Sequence, residues 1–152
     1  MKLDDAIYHA YQAHEGVLDK AGVPYIKHPL RVMRRILEIT DEIEQWAPDF
    51  NDLLVVAVLH DVWEDTAYIL EHLNVAQTHG MAAVTRHFGE FEGETYKEYI
   101  ARCCQNSIGK IVKYYDLIDN LDPQRMSYLE TGEQKGMTKR YEWSLDYIKG
   151  LS

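Results

Sequence analysis

Asn51-Asp52-Leu53-Leu54-Val55-Val56-Ala57-Val58-Leu59-His60-Asp61-Val62-Trp63-Glu64-Asp65-Thr66 decides the fold of this chain. Leu53–Leu59 is apolar without interruption, and its valines would suit a buried strand as well as a helix. Length arbitrates. No breaker falls between Leu53 and Thr66, and a stretch of about 14 residues favours a helix buried on all sides. Asn51 and Asp52 are candidate N-caps, because a short side-chain oxygen can accept an orphan backbone N–H.

Outward from this stretch the same helical spacing recurs. Leu3–Leu18 carries Ala6, Ile7, Ala10, Tyr11 and His14 on related faces. Asp19–Lys27 reads as a loop. Pro29 suits the first residue of a second helix, running to about Ile39, because its missing N–H costs nothing there. Thr66–Leu73 and Gln77–His87 read as shorter helices, Gly89–Gly93 as a loop, and Glu94–Cys104 and Ser107–Leu121 as helices with Gly80 and Gly109 as weak points. Thr131–Gly136 reads as a polar loop and Thr138–Ile148 as a closing helix. No alternating strand and no Asn-Gly hairpin signal appears, so the expected fold class is all-α.

The chain has 152 residues, 46% hydrophobic and 27% charged, which fits one soluble domain over 1–152 and excludes disordered and fibrous classes. No apolar run approaches the roughly 20 residues that span a bilayer. The start, Met1-Lys-Leu-Asp-Asp-Ala, lacks the pattern of a signal peptide. Cys103 and Cys104 are adjacent, which suits neither a disulfide framework nor a zinc finger. A cytoplasmic protein with buried, reduced and inert thiols is expected. The net charge of -9 argues against nucleic acid as a partner, since its phosphates would be repelled. One local reversal stands out: Lys20, Lys27, Arg31, Arg34 and Arg35 fall within 16 residues. They form either a solvated helix face or a phosphate-contacting patch.

His60-Asp61-x-x-Glu64-Asp65 places four ionisable residues directly after the apolar run. On a helix they share an arc of about 140°. Burying unpaired carboxylates is expensive, and a divalent cation compensates them; His with Asp is an ordinary ligand set. The bland alternative is a helix that emerges into solvent at His60. Further ligands must come from elsewhere. His28 sits at the mouth of the second helix, His14 on the first, and Asp116 lies among Ile111, Leu117, Ile118 and Leu121, with Asn120 at i+4. Asp116 alone could equally be half of a structural salt bridge.

Taken together, Gly22-x-Pro24-Tyr25-Ile26-x-His28-Pro29, His60-Asp61-x-x-Glu64-Asp65, Ala82-Ala83-Val84-Thr85-Arg86, Gly93-Glu94-Thr95-Tyr96, Val112-Lys113-x-x-Asp116 and Asn120-Leu121 resemble the HD-domain phosphohydrolases. More narrowly, they resemble RelA/SpoT-type hydrolase domains and their small stand-alone relatives, over roughly Ala13 to Leu121. The resemblance implies an all-α HD-domain bundle holding one divalent ion, usually Mn²⁺, with Fe²⁺, Zn²⁺ or Mg²⁺ as alternatives. The matching ligands are His28, His60, Asp61 and Asp116. Glu64 and Asp65 match the residues that handle the attacking water, and Asn120 matches a substrate contact. The implied reaction removes the 3′-pyrophosphate of guanosine tetra- or pentaphosphate. Two neutral imidazoles and two carboxylates leave a divalent ion near zero net charge, and mixed N/O ligation disfavours Ca²⁺. With that site granted, Lys20, Lys27 and Arg31 become candidate phosphate contacts, while Arg34 and Arg35 read as surface residues.

Two departures from the long RelA/SpoT proteins fall on base recognition. Their Arg-Lys pair is Asp19-Lys20 here, a form common in the small relatives, so the Arg that helps with the guanine base is missing. Their Arg-Leu-His-Asn is Leu117-Ile118-Asp119-Asn120. The alternatives are therefore a phosphatase on another nucleotide, NADPH included, or a non-catalytic nucleotide-sensing module. No synthetase domain or regulatory tail is expected within these 152 residues. A small phosphorylated nucleotide is the expected partner, without a membrane. Tyr114, Tyr115, Trp46, Trp63 and Trp143 read as packing residues, His72, His79 and His87 as surface or capping residues, and His14 as a group behind the ligands.

Overall fold

A computed structural model describes residues 1–39, 50–128 and 131–151. Trp46 lies outside the described residues. Among those residues the chain is helical, without a strand; one isolated bridge joins Leu18 and Pro24. No described helix is long and apolar enough to cross a membrane.

The helices are α1 (Leu3–Ala13), α2 (Lys27–Leu37), α3 (Phe50–Leu59), α4 (Val62–Asp65), α5 (Val75–Val84), α6 (Tyr96–Cys103), α7 (Ser107–Asn120), α8 (Pro123–Met126) and α9 (Thr131–Gly150), with a 3₁₀ turn at Gly89–Phe91. The apolar run builds α3, and every residue from Asp52 to Leu59 is buried. Helices α1, α2, α5 and α7 pack around it. Such surrounding explains the absence of a polar face in its sequence. Gly80 and Gly109, weak points by propensity, are close-approach positions. A Cβ on Gly80 would stand 2.8 Å from Val56 Cγ2, and one on Gly109 would stand 2.8 Å from Ala83 Cβ.

Several expected boundaries move, each for a local reason. Helix α1 ends at Ala13, not Leu18, because Gly16 turns at φ +75° and Val17 then pairs with Tyr25. Helix α2 starts at Lys27, so Pro29 sits in its first turn but not at its first position. Phe50 already lies in α3, so Asn51 and Asp52 are not its caps; buried Asp52 instead accepts hydrogen bonds from Gln77 Nε2 and Asn74 Nδ2. The expected continuous helix to Thr66 breaks at His60–Asp61.

Thr66–Leu73 is not helical. Thr66 is extended, and its hydroxyl caps the Val62 carbonyl, while Tyr68 reaches His9 and the His72 carbonyl accepts from the Met1 ammonium. Helix α5 then begins at Val75 behind an Asn74–Gln77 capping box. Helix α6 opens on a second box, Thr95–Glu98, and α7 on Asn106. Residues 131–136 are helical rather than a loop: α9 continues through them, and Thr138 Oγ1 donates back to the Gln134 carbonyl.

Candidate metal centre

Three helix ends converge beside α3. His28 lies in the first turn of α2, where Tyr25-Ile26 turn the chain into the helix. His60 follows the last residue of α3, and its Nδ1–H donates to the Ala57 carbonyl at 2.8 Å. That bond satisfies one orphan carbonyl of the helix end and leaves the Nε2 lone pair pointing away. Asp116 comes from α7, one turn before its end.

The ligand-type atoms of His28, His60 and Asp116 lie within 4.8 Å of one another, and all three residues are buried. Asp116 Oδ1 is 3.1 Å from His28 Nε2 and 3.6 Å from His60 Nε2. Asp61 Oδ2 lies beside these three, 3.5 Å from His28 Nε2 and 3.0 Å from His60 Nε2. Yet His60 Nε2 is a buried nitrogen without hydrogen-bond geometry to any partner. A nitrogen surrounded by carboxylates but bonded to none is what a cation between them requires. The residues therefore fit a divalent ion with mixed N/O ligation.

Electrostatics point the same way. Burial alone would lower the pKa of both imidazoles, but Asp116 and Asp119 raise that of His28, and Asp61 with Asp116 raises that of His60. Burial would raise the Asp61 and Asp116 carboxyls; the His60 charge for the first and the Lys113 charge for the second hold them below the usual range. The carboxylates of Asp61, Asp116 and Asp119 thus hold protons on the imidazoles when no metal neutralises them. A cation would replace those protons.

Supporting groups surround the cluster. Tyr25 donates its hydroxyl to Asp61 Oδ2 at 2.7 Å and lies 3.1 Å from Asp65 Oδ2. Lys113 Nζ donates to Asp116 Oδ2 at 2.7 Å, and Asn120 Nδ2 to Asp116 Oδ1 at 2.5 Å. Asp119, fully buried, accepts from His28 Nδ1 at 2.7 Å, from Arg31 through two bonds of 2.8 and 2.9 Å, and from Arg125. Arg125 Nη1 also stands 2.6 Å from His28 Nδ1. Asp119 is the acceptor-only group among these, so it takes the proton of Nδ1 as well as those of the guanidinium.

Glu64 and Asp65 sit at the exposed rim. Glu64 Oε2 accepts the Arg86 backbone N–H at 3.0 Å. Burial, then the Asp61 charge, raises the Asp65 pKa. A cleft of about 450 Å³ opens beside Asp65 and is also lined by Leu18, Lys20, Tyr25, Asn120 and Arg125. Lys27 is exposed and outside its lining, and Arg31 is held on Asp119. His14 is buried next to the Tyr25 ring, 4.8 Å between centroids, and its Nε2 has no partner. Cys103 is buried with its thiol pushed up to about 12 by desolvation, and Cys104 is half-buried.

The HD domain family model matches residues 25–135, a span that begins at Tyr25 and contains every residue of this cluster. The chain belongs to the HD domain family. This HD domain is 30% identical over 125 residues to a "Probable GTP pyrophosphokinase" of Mycobacterium leprae, covering 76% of the chain and 15% of that protein. It is 28% identical over 152 residues to the guanosine-3′,5′-bis(diphosphate) 3′-pyrophosphohydrolase MESH1 of Danio rerio, covering 94% of the chain and 77% of the relative. The human MESH1 is 28% identical over 144 residues, with 88% and 74% covered. The HD domain thus spans a small part of the long relative and about three quarters of the short ones.

Asp119, Lys113, Arg125 and the hydroxyl of Tyr25 are contributors that the sequence reading left unassigned. Lys113 and Asp119 each stand three residues from Asp116, on the same helix face. That spacing was the available signal. Arg125 carried none, because its partner is set by the turn after α7.

Proposed function

We propose that this HD domain is a metal-dependent phosphohydrolase that removes the 3′-pyrophosphate of guanosine tetra- or pentaphosphate, yielding GDP or GTP and pyrophosphate. The observation that carries this is the convergence of two imidazole nitrogens and two carboxylate oxygens, next to a cleft whose lining includes Tyr25 and Asn120, which donate to Asp61 and Asp116. The names of the short relatives, which align with most of the chain, support the choice of substrate. His28, His60, Asp61 and Asp116 would hold the ion, with Mn²⁺ the expected occupant. A bound divalent ion supplies Lewis acidity, lowering the pKa of a water and polarising a phosphoryl oxygen.

The remaining work belongs to side chains. Glu64, fixed through one oxygen by the Arg86 N–H, keeps its other oxygen to orient a water. Asp65, made more basic by burial and by Asp61, takes the proton from that water. Tyr25 holds Asp61 and Asp65 in register. Lys20 meets negative charge on the substrate from the cleft wall, and Asn120 meets it beside Asp116. Lys27 and Arg31 contribute from further out, Arg31 through its grip on Asp119. The working site is cytoplasmic, in keeping with two free adjacent cysteines.

A second reading keeps the chemistry and changes the nucleotide. Asp19 stands where an Arg would contact guanine, and its Oδ1 is used on the Ala21 and Val23 N–H groups. NADPH or another nucleotide with a terminal phosphate is then the substrate. Parallel assays on guanosine tetraphosphate and NADPH decide between the two: pyrophosphate from the first supports the main reading, and phosphate from NADPH alone overturns it.

A further inference from the structure

The two carboxylate oxygens of Asp116 have different partners. Oδ1 faces the imidazoles, 3.1 Å from His28 Nε2 and 3.6 Å from His60 Nε2. It also accepts from Asn120 Nδ2, which leaves it one further lone pair to give. Oδ2 accepts from Lys113 Nζ at 2.7 Å. Lys113 and Asp116 stand three positions apart on α7, so one helix face fixes the pair.

Lys113 is held in place from its other side. Its side chain is 15% exposed, and Nζ stands 5.3 Å from the ring centroid of buried Tyr99. Tyr99 is itself fixed, because its hydroxyl donates to the Val84 carbonyl. Among the described residues, Asp116 is the one hydrogen-bond acceptor of Lys113. A carboxylate that grips an ion with both oxygens must turn the second oxygen toward it. In Asp116 that turn would set a doubly charged ion against the ammonium and take away the acceptor of Lys113. A largely buried charge without its partner is costly.

We infer that Lys113 is a positioning residue that sets the metal preference of this centre: it reserves Oδ2, so Asp116 gives the ion Oδ1 alone. This rests on the metal-dependent reading above. Ca²⁺ collects roughly six to eight oxygens, often through carboxylates that bind with both. Mn²⁺, Fe²⁺ and Zn²⁺ accept imidazoles and single oxygens. Withholding Oδ2 therefore costs Ca²⁺ more, and Lys113 adds to the preference that two imidazoles already give. Its charge weakens all divalent ions alike. The ratio of two ions' affinities, not either affinity by itself, reads how Asp116 binds.

The test is calorimetric titration of the chelator-stripped full chain with Mn²⁺ and with Ca²⁺, in the wild type, Lys113→Met and Lys113→Arg. It needs no turnover. The wild type should favour Mn²⁺. Lys113→Met should bind both ions more tightly and Ca²⁺ the more, so the Mn²⁺/Ca²⁺ affinity ratio should fall about tenfold, the scale of losing an outer partner of a metal ligand. Lys113→Arg keeps a cationic donor for Oδ2 and should keep the ratio. An unchanged ratio in Lys113→Met would overturn the inference, and so would an equal fall in Lys113→Arg. A crystal structure of the Mn²⁺-loaded wild type checks the same point without a variant. One Asp116 oxygen on the ion and the other on Lys113 would support the inference, and both oxygens on the ion would overturn it. A wild type that binds neither ion would remove the metal centre and this inference together. A ratio that depends on Lys113, in a protein that fails to hydrolyse guanosine tetraphosphate, would leave Lys113 its role and remove the proposed reaction.

Discussion

Asp119 accepts the Nδ1 proton of His28 at 2.7 Å, and the two residues are 91 positions apart. The bond fixes the His28 tautomer and turns Nε2 toward Asp61 and Asp116. A carboxylate behind a ligating imidazole both aims it and raises its basicity. Burial would raise the Asp119 pKa, but its bonds to His28 and Arg31 hold it well below the usual carboxylate range, so it stays charged at neutral pH.

Asp119→Ala leaves His28 unaimed and two guanidiniums without their shared partner. Mn²⁺ affinity should fall about ten- to a hundredfold. Asp119→Asn retains an acceptor for Nδ1 and should lose less. Titration with a competing chelator reads both, and equal affinity in Asp119→Ala and wild type would remove Asp119 from the site.

Asp61→Ala and Asp116→Ala should abolish metal binding and activity together. Glu64→Gln is different, because Glu64 contacts the Arg86 backbone and not the proposed metal ligands. It should bind metal normally and lose turnover by about 10²- to 10⁴-fold, the usual range for a group that handles a proton or positions its carrier. Intact kcat in Glu64→Gln would show that the water is handled elsewhere. Lys20→Ala should act mainly on KM.

Metal binding should strengthen as pH rises. In the metal-free protein the carboxylates raise both imidazole pKa values, despite burial, so protons compete with the ion. Below the raised pKa values those protons must leave before Mn²⁺ can enter; above them they are already gone. Affinity should climb as pH rises from the ordinary histidine range through the raised pKa values, with proton release in calorimetry that diminishes above them. A flat profile would mean that the histidines bind the ion without giving up protons.

Gly80 is held to hydrogen by its neighbours. Its missing Cβ would meet Val56 Cγ2 at 2.8 Å and Ile108 Cγ2 at 3.0 Å. Gly80→Ala gains helix propensity but overpacks the α3–α5–α7 contact, so a net loss of about 1–3 kcal/mol is expected in thermal unfolding. A more stable variant would show that the core yields there.

The parts legible in the sequence are those that local pattern controls. Leu53–Leu59 announced a buried helix because nothing polar interrupts it, and α3 is buried from Asp52 to Leu59. His28, His60 and Asp116 were legible through ordered motifs, and the fold brings them together. Thr66–Leu73 misled because its residues favour a helix, whereas distant partners hold it in an irregular path: Tyr68 on His9, and the Met1 ammonium on the carbonyl of His72, whose φ is +64°. Residues 131–136 misled in the other direction. Their glycines and polar side chains resemble a loop, yet α9 runs through them. Asp119 looked like any polar residue on a helix, since two of its partners, His28 and Arg31, are about 90 positions away in sequence.

Pyrophosphate release from guanosine tetraphosphate tests the central claim most directly. The protein is stripped with a chelator, checked for retained helicity, and reloaded with Mn²⁺. Release should be absent from the stripped protein and restored by the ion, with GDP as the second product. No release from folded, metal-loaded protein would contradict the proposed reaction.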